Sequence, residues 1–153
     1  MTIHRLFSKD PNDEEENVTQ NIYVFRFILF CIIVYSFEML LNSVDIFIVD
    51  KTIFTRGYVT GCLFAAVYVL ILLHLGLEHP LTKYVSITAV SLIIMAASVS
   101  LTYHMIIIIM MPIIIAGMYT SKQLSIYTFV LTVLSIIIST YAGYYYGVCD
   151  ANM

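Results

Sequence analysis

Residues 84–119 read YVSITAVSLIIMAASVSLTYHMIIIIMMPIIIAGMY, which is 36 consecutive positions without Asp, Glu, Lys or Arg. A helix crosses the hydrocarbon core of a bilayer with about 20 apolar residues. As one helix this run would be about 54 Å long at about 1.5 Å per residue. The hydrocarbon core is about 30 Å thick, so some 20 Å of apolar helix would stand in water, more than tilt absorbs. Two short spans joined by a tight turn solve the problem. The most polar point of the run is Leu101-Thr102-Tyr103-His104, and Tyr and His suit an interface. The expected structure is therefore a hairpin that turns there. How the run folds decides which side of the membrane the C-terminal residues reach.

Composition agrees with a membrane protein. Of 153 residues, 61% are hydrophobic and 11% charged, and the mean hydropathy is +0.94. A soluble domain carries about 25% charged residues. Three further apolar stretches have ordinary span lengths, giving spans at about 22–41, 58–77, 84–101, 104–119 and 124–146. The fold expected is an all-α, polytopic transmembrane helical bundle of about five spans, covering 22–153. Residues 1–21 form a polar, acidic tail, with five acids and a proline between Asp10 and Asn17. The start lacks the basic n-region and cleavage site of a signal peptide. Asn17-Val18-Thr19 matches the glycosylation sequon, which matters only on a lumenal tail.

Five spans put Arg5, Lys9, Arg26, Lys83 and Lys122 on one face, and Lys51 and Arg56 on the other. The positive-inside rule then assigns the N-terminus to the cytoplasm and the C-terminus to the outside of the cell membrane. Arg26 and Glu38 sit near opposite ends of the first span, about 18 Å apart along its axis, where each can reach its own interface. Pro112 is expected to bend the fourth span. The connection 42–57 mixes apolar and charged residues and fits either an interfacial helix or a strand-like loop.

Lipid is as apolar as leucine, so spans associate through close packing and side-chain hydrogen bonds. Ser125, Thr128, Thr132, Ser135 and Ser139 recur at intervals of 3, 4, 3 and 4 and continue to Ala142 or Gly143, one narrow stripe on the last span. A looser stripe runs through Thr88, Ser91, Met95, Ser98 and Thr102. Gly57 with Gly61, and Gly143 with Gly147, form two GxxxG patterns. Packing within the bundle is the first reading of these faces, and homodimerisation through one of them is the second. Tyr141, Tyr144, Tyr145 and Tyr146 fit an aromatic belt at the outer interface.

Ionisable groups near spans are the natural candidates for sensing or chemistry. They are Glu38, His74, Glu78, His79 and His104. His74 and Glu78 stand at i and i+4, which on a helix would share a face and could hold a metal or relay a proton. The order is not HExxH, and the group lies just before Pro80, where a span leaves the membrane. No phosphate loop, nucleophile elbow or cofactor motif occurs, and Cys31, Cys62 and Cys149 are isolated. There is no basic patch of the kind a nucleic acid requires. The lipid bilayer is the expected partner, and no catalytic, cofactor-binding or metal-ligating residue is assigned.

The segment MMPIIIAGMYTSKQ (110–123), followed by IYTFVLTVLSIIISTYAGYYYGVCDANM (126–153), resembles the N-terminal membrane region that precedes GGDEF domains in some anaerobic Gram-positive bacteria. The resemblance covers mainly Tyr103–Met153. Such regions have about six spans and feed a diguanylate cyclase. The GGDEF signature is absent here, so no active-site residue carries over. The resemblance implies a membrane sensor or anchor module of a signalling protein, itself without catalytic activity, cut short before its output domain. The alternatives are a small carrier or accessory subunit of a transporter, which would use a polar site near Thr132 and Ser135, and a membrane enzyme built on His74, Glu78 and His79.

Overall fold

A computed structural model of the chain describes residues 16–46, 50–101 and 108–146. The described residues form an all-α bundle. Its helices are α1 (Glu16–Ser43), α2 (Lys51–Leu75), α3 (Thr82–Leu101), α4 (Met111–Gly117) and α5 (Lys122–Tyr145), with a 3-10 turn at Ile108–Met110 leading into α4. In a bilayer every backbone amide and carbonyl must be paired within the segment, which favours helix wherever the sequence is apolar. Among the described residues four helices are long and apolar enough to cross a membrane, and Ile108–Gly117 is a shorter apolar helix. The chain is an integral membrane protein.

The limbs alternate in direction. Asn21, near the start of α1, meets Leu77 just past α2 and Tyr119 just past α4. The start of α5 touches the start of α3 through Tyr127 and Tyr84. At the other end, Ala142 of α5 lies beside Gly57 of α2 and Ala96 of α3. Tyr119 therefore lies at the same end as the start of α3, so α3 and the return limb are antiparallel. The turn expected at Leu101–His104 falls from Thr102 onward on residues outside those described, as does His104 itself. The return limb differs from the span expected at 104–119. Its described helical part has ten residues and covers about 15 Å at 1.5 Å per residue, about half the hydrocarbon thickness.

Three local expectations change. Pro112 does not bend a continuous helix. It stands in the first turn of α4, where its missing N–H has no intrahelical partner to lose. The connection 42–57 is neither an interfacial helix nor strand-like over its described part. Asp50 caps α2, its carboxylate accepting from the N–H groups of Thr52 and Ile53 at 2.9 Å, so the second span begins near Lys51. Residues 16–21 belong to α1, and Gln20 and Asn21 are buried.

Helix α3 is the centre of the bundle. Of its apolar window, 61% is buried, against 22, 17 and 28% in α1, α2 and α5. Its composition explains this. Ala89, Ala96, Ala97, Ser86, Ser91, Ser98 and Ser100 are small, and all are buried, so neighbouring backbones approach closely. The outer faces of α1, α2 and α5 expose Phe30, Ile33, Phe37, Leu63, Leu70, Phe129 and Ile137. Such surfaces would aggregate in water and are stable against acyl chains.

Candidate functional site

The bundle is pinned at both ends by polar and aromatic residues. At the end where α2 begins, Tyr35 of α1 is buried against the Gly57–Gly61 face. A Cβ at Gly57 would lie 2.6 Å from the Ser100 hydroxyl, 2.8 Å from the Tyr35 hydroxyl and 3.0 Å from the Ala96 carbonyl oxygen. At Gly61 it would lie 3.4 Å from the Tyr35 ring. The glycines thus open a notch for Tyr35, which shares a 3.2 Å hydrogen bond with Ser100 of α3. Its ring meets Phe54 and Tyr58 edge-on, each at 5.4 Å between centroids. The Tyr58 hydroxyl in turn shares a 2.9 Å hydrogen bond with Ser36. Gly57 and Gly61 are used for packing inside the chain.

At the opposite end the connections are hydrogen bonds. The Asn21 amide donates to the Leu77 carbonyl at 2.8 Å, and its oxygen accepts from the Tyr119 hydroxyl at 2.8 Å. The Gln20 amide donates to the Met118 carbonyl. Tyr68 of α2 shares a 3.1 Å hydrogen bond with Ser86 of α3. Thr82 donates to the carbonyl of Gly76 at 2.7 Å, closing the turn between α2 and α3. Residues of α1, α2 and α3 and of the turns that follow α2 and α4 meet there. A buried amide in hydrocarbon is costly without partners, and Asn21 is 1% exposed. Its pairing explains why α1 extends below the expected first span.

The stripe on the last helix is buried as a face. Thr128, Thr132, Ser135, Ser139 and Gly143 are its buried residues, preceded by Leu124. Ser125 is not among them. It lies on the exposed side of the first turn, and its hydroxyl donates to the Ser121 carbonyl. Thr128 and Ser139 likewise bond to their own helix. The stripe packs α5 closely onto α3 and the return limb. Gly147 lies outside the described residues.

The ionisable candidates within the described residues do not converge. Helix α2 ends at Leu75, and Gly76 follows with φ +84°, so His74 and Glu78 share no helix face. Both are exposed, as is His79. His79 acts locally instead. Its Nδ1 accepts the Leu81 N–H at 3.2 Å and its carbonyl accepts from Thr82, which starts α3. Glu38 is half-buried on α1 and, like Cys31, lines a cavity of about 180 Å³ that faces α3 and Ile108. Among the described residues no three of His, Cys, Asp or Glu gather closely enough to hold a metal ion.

Sequence reasoning missed Asn21, Gln20 and Tyr119. Two lay within the stretch read as an acidic tail and the third at the edge of a span, and their partners are distant in sequence. The Asp50 cap had a local signal, an acid followed by an uninterrupted helical segment.

The arrangement defines a class: a polytopic α-helical membrane bundle centred on a helix rich in small residues. No known family, curated protein or solved structure matches the chain.

Proposed function

We propose that the chain is a membrane-embedded sensor or anchor module of a bacterial signal-transduction protein, without catalytic activity of its own. The observation that carries this reading is the position of α3. It contacts α1, α2, α4 and α5, so a displacement of one limb must be accommodated by the others through it. A module of this kind needs two things, a set of helices that moves as a unit and faces open to the membrane. The interlocked ends supply the first, and the apolar outer faces supply the second. The resemblance to GGDEF-linked membrane regions makes a diguanylate cyclase the output to look for. In this reading the start of α1 faces the cytoplasm and the end of α5 the outside of the cytoplasmic membrane.

A carrier would need an open polar path along Thr132 and Ser135, and both are buried against neighbouring helices. An accessory subunit of a transporter remains the alternative that uses the exposed outer faces. Two measurements test the proposal. Side-specific reporters fused before Met1 and after Met153 should report opposite sides, the first cytoplasmic. The purified chain given GTP and magnesium should make no cyclic dinucleotide. Both termini on one side, or synthesis by the chain alone, overturns it. Stabilisation by a transported solute that vanishes in a Thr132→Val, Ser135→Val variant favours the carrier instead.

A further inference from the structure

Helices α2 and α5 both pack on α3, and two separate cavities open where residues of all three helices meet. The one near the start of α2 is a cavity of about 200 Å³. Its size comes from Gly57, Ala96 and Ala142, one small residue from each of the three helices. Ile53 and Val99 give it an apolar lining, and Arg56 and Tyr146 stand at its mouth. Farther along the same helices a second apolar cavity of about 260 Å³ is bounded by Val67, Ile71, Val85 and Leu92. Val99 of the first cavity and Val85 of the second are about 21 Å apart along α3 at 1.5 Å per residue.

The dimensions select the occupant. A protein cavity of about 150 Å³ admits a benzene molecule, so these cavities admit hydrocarbon chain. A helix about 10–12 Å across does not enter them. The charge at the mouth selects the headgroup. Arg56 is exposed and lines the cavity, and among the described residues no carboxylate lines either cavity. The nearby Lys51 is engaged with Asp45 at 2.8 Å. A guanidinium presents a planar fork of donors that matches phosphate oxygens. A choline headgroup would bring a second cation beside it.

We propose that the cavity near the start of α2 holds an acyl chain of one anionic phospholipid whose phosphate is bound by Arg56. The chain would lie over Ala96 and Val99, with the Tyr146 ring at the glycerol level, where tyrosine is favoured.

Native mass spectrometry of the full chain, released from detergent containing equal phosphatidylglycerol and phosphatidylcholine, tests this. The expected spectrum shows one retained phosphatidylglycerol and little phosphatidylcholine. Arg56→Gln should lower retention about fivefold, the effect of one basic contact at a membrane surface. Ala142→Leu, which fills the cavity, should lower it for both lipids. Lys122→Gln, at the opposite end of α5, should leave it unchanged. If Ala142→Leu does not fold, Arg56→Gln and Lys122→Gln still decide, because both side chains are exposed. Equal retention of the two lipids, retention unchanged in Arg56→Gln, or an equal fall in Lys122→Gln overturns the proposal. A dimer that persists without lipid and is lost in Ala142→Leu places a second copy against the cavity and overturns it too.

Discussion

The two ends of the bundle are held by different physics. Where α2 begins, the contact is largely steric: Gly57 and Gly61 lack side chains, and Tyr35 fills the space, its hydroxyl also bonded to Ser100. Where α2 ends, the contact is polar: Asn21 ties the start of α1 to Leu77 and Tyr119. The first kind of contact fails when volume is added. The second fails when a hydrogen-bonding atom is removed. In lipid neither is helped by a hydrophobic drive between helices, so each must hold through its own geometry.

The steric end should break hardest. Gly57→Val places carbon where the Ala96 carbonyl oxygen and the Tyr35 and Ser100 hydroxyls already are. The backbone oxygen cannot rotate away, and a loss of about 3 kcal/mol, the upper part of the usual overpacking range, is expected. Unfolding in mixed detergent micelles, followed by helical circular dichroism, measures it. A loss below about 1 kcal/mol would show that the notch yields easily.

Next comes Asn21→Ala, which removes both bonds of the polar end and leaves the Leu77 carbonyl and the Tyr119 hydroxyl without that partner. About 1–2 kcal/mol is expected, because membrane hydrogen bonds average less than their counterparts in dry cores. Tyr119→Phe removes the bond to Asn21 but leaves the bond from Asn21 to Leu77, and should cost about 0.6 kcal/mol. Combining the two sharpens the comparison. The double variant should be little worse than Asn21→Ala, since the Tyr119 bond is already lost. Simple addition of the two losses would mean that they act separately.

Gly61→Ala should have the smallest effect. Its added carbon would meet the Tyr35 ring at 3.4 Å, near ordinary contact, and alanine favours helix by about 1 kcal/mol over glycine. The same unfolding assay should place it within about 0.5 kcal/mol of the native chain. The two glycines of one motif would then differ in tolerance because only Gly57 faces a backbone oxygen.

What could be read from the chain divides along the same line. The uncharged run 84–119 implied a reversal, and the limbs on either side of it are antiparallel. The stripe Thr128–Ser139 was visible because helical spacing alone puts those residues on one face. Gly57 and Gly61 were visible for the same reason, though the residue that fills their notch was not. Nothing near Asn21 in the sequence points to Leu77 or Tyr119, which lie 56 and 98 residues away. A polar residue in an acidic tail reads as solvated until its distant partners are known. His74 and Glu78 failed in the opposite sense. Their i, i+4 spacing matters only on a continuous helix, and Gly76 ends the helix between them.

The antiparallel return of the chain after α3 governs everything else: the pairing of Tyr119 with Asn21, the direction of α5 and the opposite placement of the bundle's two ends. Spin labels on Leu81→Cys and Met118→Cys, in a chain whose native cysteines are replaced by alanine, measure it directly by pulsed electron resonance in nanodiscs. Both sites are exposed, at 54% and 42%. An antiparallel return limb predicts a short distance, with both labels at the Asn21 end of the bundle. A continuous helix over the same 37 residues would separate them by about 55 Å at 1.5 Å per residue, and a distance near that value would contradict the fold described.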